Sequence, residues 1–292
     1  MLKLNQHFNK NKYDYIFVLG DTTTALVSAL TAFNNNQKIA YIESGLRTYD
    51  FKNPWPEESF RQIISRISNF NFCPSKEAKN NLLNERINKK TIFEVGNPII
   101  DCIKYIFRKK IYLADKNYKK FNKLINNKKL VLITIHRREN QNKNLDIFFK
   151  SLKKIVKDNI DCFFLFSIHP TPIVKKRFEK YFMNVNYSNF YSENNINHPL
   201  FCFLLEKAFL IFTDSGGIQE ESSYFGTPTI LMRKTSERQE LIGKNILYGS
   251  FDTKIINLFK KLKNDDFYKL YNKKSYPYGK GDSTKKILKV IQ

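Results

Sequence analysis

The sequence has 292 residues, enough for two domains with buried cores, and 42% of them are hydrophobic. Its formal net charge of +23 is typical of nucleic-acid-binding proteins. Lys outnumbers Arg 40 to 10, however, and lies in scattered pairs without a nucleic-acid-binding motif, so a solvated surface that attracts anionic substrates is favoured over a nucleic-acid partner.

Short apolar runs alternate with helical stretches along the chain. The predicted strands are Tyr15–Leu19, Ile39–Ile42, Phe70–Cys73, Ile92–Val95, Leu130–Ile135, Cys162–Ser167, Asn189–Tyr191, Leu210–Thr213 and Thr229–Met232. The predicted helices are Thr22–Asn34, Glu57–Ser68, Lys76–Asn84, Pro98–Phe107, Asn144–Asp158, Pro172–Tyr181, Pro199–Lys207, Gly217–Phe225 and Thr253–Leu262. This alternation predicts an α/β fold with parallel, doubly wound sheets that carry helices on both faces.

The stretch Arg108–Lys129 is rich in Lys, Asn and Tyr and separates two sets of strands. We therefore predict a first domain over residues 1–110 and a second over residues 111–272. The first set is short, whereas the second is complete enough for a whole doubly wound domain. The last segment, 273–292, is expected to pack back on the first domain.

The sequence gives no sign of a membrane-bound or secreted protein. No apolar run approaches the roughly 20 residues that cross a bilayer, and the first residues are polar without a signal peptide. The four cysteines stand far apart without CxxC spacing, which indicates buried thiols and neither a zinc site nor disulfides. We predict a cytoplasmic protein without a metal, a cofactor or a membrane partner.

Carboxylates follow the first two strands and open the next helix. Asp21 lies in GDTTT, Glu43 in ESGLRT, and Glu57 and Glu58 in PWPEE. Taken singly, Asp21 is explained as a helix cap, and Glu57 and Glu58 as favourable charges at a helix start. Together they form a group in which like charges held close separate acid and base roles.

Three further clusters follow strands of the second set. His136 opens HRRE; Ser215–Gly217 forms a turn into a helix that also carries Glu221; and Arg238 lies in SER. A lone His is more often structural than catalytic, but two Arg beside this one favour a role at an anion. Unpaired N–H groups and the helix dipole at the SGG turn suit a phosphate, and Glu221, one turn on, suits ribose hydroxyls.

These clusters, in this order, resemble the non-hydrolysing UDP-N-acetylglucosamine 2-epimerases. The resemblance runs from about Ile16 to Ser283 and adds the motifs FCPS, GNPIID, TSER and PYGKG. It implies two Rossmann-like domains in the glycosyltransferase-B-like arrangement. It also implies an isomerase that interconverts UDP-GlcNAc and UDP-ManNAc for surface polysaccharides, by eliminating UDP and adding it back without a cofactor.

The resemblance assigns roles to matched residues. Asp21, Glu43 and Glu57 would carry proton transfer at carbon 2 of the sugar, and His136 would stabilise the leaving diphosphate. The residues that would bind the rest of the substrate are Arg138, Phe201 (uracil), Ser215, Gly216 and Gly217 (phosphate), Glu221 (ribose), and Arg238 (the diphosphate or its surroundings). The implied partners are a UDP-sugar and either a second copy of the chain or a separately encoded N-terminal piece.

The chain departs from the family pattern at several points. Ile135 stands before His136 where the family usually has Gly, and the GTRPE motif that opens the family does not occur. We therefore expect an incomplete first domain whose apolar residues Ile16, Val18, Ile39 and Ile42 lack partners, and impaired activity of the chain alone. The alternatives are a remnant that only binds UDP or a UDP-sugar, a glycosyltransferase of similar fold and, on charge alone, a nucleic-acid binder.

Overall fold

The computed structural model of the protein describes residues 1–125, 128–137, 140, 143–183 and 185–292. The chain forms two compact units. The first unit comprises Met1–Cys102, Thr235–Glu240 and Tyr276–Gln292, and the second comprises Ile103–Lys234 and Leu241–Ser275. The segment Thr235–Glu240 thus groups with the first unit, although the sequence boundaries put it within residues 111–272.

Strands and helices alternate along the described chain. In chain order the helices are α1 (Leu2–Lys10), α2 (Thr23–Asn34), α3 (Glu57–Ile67), α4 (Lys76–Asn84), α5 (Pro98–Lys109), α6 (Tyr118–Leu124), α7 (Lys143–Asp158), α8 (Pro172–Phe182), α9 (His198–Lys207), α10 (Gly216–Phe225), α11 (Lys254–Leu262), α12 (Asp265–Tyr271) and α13 (Ser283–Ile291). The strands are β1 (Ile16–Leu19), β2 (Ile39–Ile42), β3 (Phe70–Cys73), β4 (Ile92–Glu94), β5 (Lys129–Thr134), β6 (Cys162–Ile168), β7 (Phe190–Asn194), β8 (Ala208–Thr213), β9 (Thr229–Leu231) and β10 (Ile246–Tyr248).

The first unit contains a four-stranded parallel sheet in the order β1-β2-β3-β4. Successive side chains of a strand point to opposite faces, so β2 serves two cores. Ile39 and Tyr41 pack with residues of α2 and α3, whereas Ala40 packs with Phe72 and with Ile287 of α13. The C-terminal helix α13 therefore covers one face of this sheet.

Helix α1 is absent from the sequence prediction, which noted only that the first residues are polar. Its buried Phe8 packs in the same core as Val18 and Ile39. The expectation that Val18 and Ile39 lack partners is therefore wrong, since they are only 4% and 0% exposed. The exposed apolar side chains of β1 are instead Phe17 and Leu19.

The second unit contains a six-stranded parallel sheet in the order β10-β9-β8-β5-β6-β7. Read from β7, this is the strand order 3-2-1-4-5-6 of dinucleotide-binding folds, which confirms the predicted doubly wound sheet. The order reverses between β5 and β8, and ligands of such folds bind beyond the carboxyl ends of the strands at this reversal. The residues that directly follow β5 and β8 are therefore candidates for a ligand-binding site.

Large apolar side chains fill both faces of the second sheet. Phe148 and Phe149 of α7 pack with Phe164 and Phe166 of β6 on one face, and Leu204 of α9 packs with Leu132 and Leu165 on the other. Three elements of this unit were missed from sequence: the three-residue strand β10, the short helix α12, and α6 within the stretch predicted to be a boundary. A buried Phe121 anchors α6 in the second core.

The predicted burial of the cysteines is confirmed for three of the four. Cys73, Cys162 and Cys202 are buried as expected, but Cys102 is exposed. Within the described residues, no helix is long and apolar enough to cross a membrane.

Candidate active site

Two predicted carboxylates of the first unit lie at adjacent strand ends. Asp21 follows β1 through Gly20, and Glu43 directly follows β2. Gly20 and Glu43 both have positive φ, +72° and +67°, and a Cβ on Gly20 would lie 3.6 Å from Glu43 Oε2. Asn97 Nδ2 donates to Glu43 Oε1 at 2.9 Å. The side chain of Glu43 is thus fixed beside the turn that carries Asp21.

Arg61 of α3 links the strand end of β1 to that helix. Its guanidinium is 2% exposed and donates to Asp21 Oδ2 and Glu58 Oε2, each at 2.9 Å. Burial alone would lower the pKa of Arg61. The charge of Glu237, followed by those of Asp21 and Glu58, outweighs burial and raises the pKa.

Glu57 begins α3 four residues before Arg61, so both lie on the same face of the helix. Its Oε2 is buried, and it has no hydrogen-bond partner among the described residues. Arg61 reaches Asp21, which brings the start of α3 to the predicted carboxylate group. The adjacent Trp55 is 71% exposed.

Glu58, in contrast, is part of the internal framework of the first unit. It is fully buried and accepts hydrogen bonds from the Thr48 N–H at 2.9 Å and from Gln62 Nε2 at 3.0 Å, besides the ion pair with Arg61. Burial raises the pKa of a carboxyl group, but the bond from Thr48, then that from Gln62, and the charge of Arg61 lower the pKa of Glu58.

Arg238 lies in the first unit and not in the second. Ser236, Glu237 and Arg238 are all at least nine-tenths buried, and the Arg238 guanidinium pairs with Glu237. The charge of Glu237 also acts on Arg61, which relates this segment to the carboxylate group.

Asp214 organises the predicted histidine site of the second unit. This fully buried carboxylate follows β8 and accepts the backbone N–H of His136 at 3.0 Å and that of Arg137 at 2.9 Å. Asn140 Nδ2 donates to Asp214 at 2.9 Å and also to the Met232 carbonyl. His136 Nδ1 lies 3.4 Å from Asp214 Oδ1, and the imidazole, 28% exposed, stacks on His169 at 4.8 Å between ring centroids.

The glycine turn after β8 opens α10. Ser215 is the N-cap, and its N–H donates to Thr213 Oγ1 at 3.0 Å. Gly216 is buried and Gly217 is exposed, and no described atom lies within 4 Å of a Cβ built on Gly217. The first N–H groups of a helix have no intrahelical acceptor, so an exposed start of this kind suits a phosphate.

Glu221 lies one turn further along α10 and has a partner that the sequence analysis missed. His198 Nε2 of α9 lies 2.9 Å from Glu221 Oε1. This hydrogen bond raises the pKa of His198, against the opposing effect of burial. Phe201 of the same helix is partly buried against the second core, and Arg138 lies outside the described residues.

The predicted residues thus fall into two groups. Asp21, Glu43, Glu57 and Arg238 belong to the first unit, whereas His136, Phe201, Ser215, Gly216, Gly217 and Glu221 belong to the second. The missed residues are mainly their partners: Arg61, Asn97, Asn140, Asp214 and His198. Asp214 had a signal, because it directly follows a strand within TDSGG, whereas His198 had none beyond its position at a helix start.

Parallel sheets with polar side chains beyond their carboxyl ends define an α/β protein of the nucleotide-binding class. Comparison with known sequences narrows this class. A sequence model of the family described as UDP-N-acetylglucosamine 2-epimerase matches residues 1–292. The chain is similar to the UDP-N-acetylglucosamine 2-epimerase of Campylobacter jejuni, with 39% identity over 97% of this chain and 76% of the relative. It is also similar to that of Bacillus subtilis, with 32% identity over 100% of this chain and 75% of the relative.

Solved structures agree with this assignment. The chain is similar to UDP-GlcNAc 2-epimerase from Neisseria meningitidis bound to UDP-GlcNAc, with a TM-score of 0.93 and 31% identity over 99% of this chain and 79% of that one. It is also similar to the Methanocaldococcus jannaschii enzyme in complex with UDP-GlcNAc and UDP, with a TM-score of 0.83 and 30% identity over 99% and 78%. The predicted glycosyltransferase-B-like fold class is confirmed. The chain belongs to the UDP-N-acetylglucosamine 2-epimerase family.

We expect Glu58→Gln to lower the free energy of unfolding by about 3 kcal/mol near pH 7, because it leaves Arg61 as a buried charge with one partner fewer. A carboxyl group whose pKa is lower in the folded than in the unfolded protein stabilises the fold at pH values above its ordinary pKa of 4.5. This stabilisation is lost as the pH falls through the lower pKa of the folded protein. The difference between the two proteins should therefore shrink below pH 4.5.

Urea denaturation at several pH values measures this difference. Glu77→Gln, at an exposed position of α4, is the matched control and should change stability by less than ~0.5 kcal/mol. An effect of Glu58→Gln that stays constant from pH 7 to pH 3 would contradict the expectation.

We expect Asp214→Asn to loosen the turn at His136, because an amide presents N–H donors where the carboxylate accepts three N–H groups. A loss of about 3 kcal/mol corresponds to a rise of roughly 100-fold in amide hydrogen exchange at His136 and Arg137. Exchange followed by NMR measures it, and Asp252→Asn, at an exposed carboxylate, serves as the control. Unchanged exchange at both amides would remove Asp214 from this role.

Proposed function

We propose that this protein interconverts UDP-GlcNAc and UDP-ManNAc by elimination and re-addition of UDP. The match of the whole chain to the epimerase family is the observation that carries this function. The carboxylates at the ends of β1 and β2 and at the start of α3 support it, because the reaction needs proton transfer at carbon 2. The exposed helix start after β8 supports it as well, because UDP must be held when it leaves.

The reaction begins with loss of the proton from carbon 2 of the sugar. A carboxylate of the group Asp21, Glu43 and Glu57 takes this proton, and the C–H electron pair forms the C1=C2 double bond. The bond from carbon 1 to the diphosphate oxygen breaks, and UDP leaves with the electron pair of that C–O bond. Return of UDP to carbon 1, with proton delivery to the other face of carbon 2, gives the epimer.

The three carboxylates differ in their surroundings, which supports a division of roles. Asp21 is held by Arg61, Glu43 accepts from Asn97, and Glu57 has a buried oxygen without a partner among the described residues. We infer that the roles of base and acid at carbon 2 are divided among these three carboxylates.

The departing diphosphate requires positive charge and N–H donors at fixed positions. His136 is held by Asp214 through its backbone, so its partly exposed ring is oriented before the substrate arrives. The N–H groups of Ser215, Gly216 and Gly217 supply donors for phosphate oxygens, and Glu221 accepts ribose hydroxyls. Phe201 (for uracil), Arg138 and Arg238 complete the proposed contacts.

Two further expectations concern partners and location. A second copy of the chain stays the predicted protein partner, and light scattering of the purified protein measures the mass of the assembly. The cytoplasm stays the predicted location on the grounds of sequence given above.

In a preparation whose wild-type protein converts UDP-GlcNAc, we expect Asp21→Asn, Glu43→Gln and Glu57→Gln each to lower turnover about 100-fold or more, as is typical of acid–base groups. UDP affinity should change less than threefold, because the nucleotide contacts lie elsewhere. Formation of UDP-ManNAc is followed by chromatography and UDP binding by calorimetry. Near-normal turnover in a variant would exclude that residue from proton transfer.

We expect Gly217→Ala to weaken UDP binding about tenfold, or ~1.4 kcal/mol, while stability is unchanged or slightly raised. Its methyl group would enter space that is open among the described residues and that we assign to phosphate. Ala also favours a helix more than Gly.

Gly226→Ala is the matched control for this substitution. Gly226 has φ +79°, and a Cβ there would lie 2.7 Å from the Lys274 backbone nitrogen. This variant should lose stability and keep the UDP affinity of its folded fraction. The reverse pattern, with UDP affinity lost only in Gly226→Ala, would contradict the phosphate site at Gly217.

A further inference from the structure

Three potential metal ligands meet where α9 packs against α10. They are His198, Cys202 and Glu221, whose ligand atoms all lie within 4.8 Å of one another. His198 and Cys202 are four residues apart on α9, so their side chains share one face of that helix. Two ligands at this spacing, with a carboxylate from a second helix, form a recurrent arrangement for zinc.

The distances fit a tetrahedral zinc ion with modest adjustment. Zn–N, Zn–S and Zn–O bonds of about 2.0–2.3 Å place neighbouring ligand atoms roughly 3.4–3.6 Å apart. Cys202 Sγ lies 3.4 Å from His198 Nε2. The His198 Nε2 to Glu221 Oε1 distance is 2.9 Å and would have to widen by about half an ångström, as a hydrogen bond is replaced by two metal bonds.

Charge and access also favour a divalent ion here. Binding releases the thiol proton, and the resulting thiolate and the Glu221 carboxylate together balance the two positive charges. Cys202 and Glu221 are buried, whereas the His198 side chain is 39% exposed and provides a route from solvent. Three protein ligands leave a fourth position open, as in zinc sites that bind exchangeable ligands.

We propose that His198, Cys202 and Glu221 form a binding site for Zn²⁺ or a similar transition-metal ion, and that the ion and the nucleotide exclude each other. The exclusion rests on the proposed function, because it requires that Glu221 be the acceptor for ribose hydroxyls. Zinc bound at Oε1 withdraws charge from the carboxylate and makes its second oxygen a weak acceptor for those hydroxyls, so the two ligands compete for Glu221. The metal would therefore inhibit the enzyme by occupying Glu221.

Cobalt reports on this site directly. The full chain without an affinity tag is titrated with Co²⁺, which gives a near-ultraviolet band when a thiolate binds it. We expect this band in the wild type, its loss in Cys202→Ser, and at least tenfold weaker Co²⁺ binding in His198→Gln. Cys102→Ser, at the exposed cysteine, and His7→Gln, at an exposed histidine, should keep the band and the affinity.

Calorimetry with UDP then tests the exclusion. Saturating Co²⁺ should weaken UDP binding at least tenfold in the wild type. Any smaller effect that remains in Cys202→Ser measures chelation of the metal by UDP in solution. Absence of the thiolate band in the wild type, or a band that persists in Cys202→Ser, overturns the metal site. A band together with equal effects of Co²⁺ on UDP binding in the two proteins overturns the exclusion, and failure of UDP to bind without metal counts against the proposed function instead.

Discussion

The buried carboxylate of Asp214 ties the carboxyl end of β8 to the loop that follows β5. These two strands are neighbours in the six-stranded sheet, at the point where the strand order reverses. Parallel strands end on the same edge, so residues far apart in sequence come together there. Asp214 uses this proximity to bind the N–H groups of His136 and Arg137 and the side chain of Asn140. Without a carboxylate at this point, these three N–H groups would lose their shared acceptor.

Arg61 plays a similar role in the first unit, where one buried side chain connects residues that are distant in sequence. A single guanidinium, 2% exposed, lies between the carboxylates of Asp21 and Glu58. Two carboxylates held close without a cation repel each other, and one of them then takes up a proton. Arg61 lies between them and pairs with both, and 32% of the Asp21 side chain remains exposed. Glu58, with no exposure, belongs to the internal framework of the first unit.

Periodicity predicted the two parallel sheets, and position at a strand end selected most of the candidate site residues. The continuous apolar runs at Ile39–Ile42 and Cys162–Ser167 were recognised because strands buried on both faces leave few alternatives. Helix α1 was missed because only Phe8 and Leu4 of its residues join the core, and β10 because three residues give no periodicity. The sequence does not reveal the partners of Asp214, Arg61 and His198. Most of their contacts join residues at least 23 positions apart, and the others depend on the direction of a side chain.

The bond between His198 and Glu221 shows why such a partner matters for recognition. Glu221 is 5% exposed, so its charge must be met by donors at all times. His198 satisfies Oε1 and leaves the other oxygen for a ligand. In the proposed complex a ribose hydroxyl donates to this oxygen, and a ligand without that hydroxyl cannot. A site built to hydrogen-bond a hydroxyl discriminates strongly against a ligand that lacks it, because a polar group of the protein is then left without its partner. An apolar pocket discriminates less strongly against a ligand that lacks one methylene group. On the proposed assignment of Glu221 to the ribose, selectivity for a ribonucleotide would follow from this contact, and His198 satisfies one oxygen of the carboxylate before the nucleotide binds.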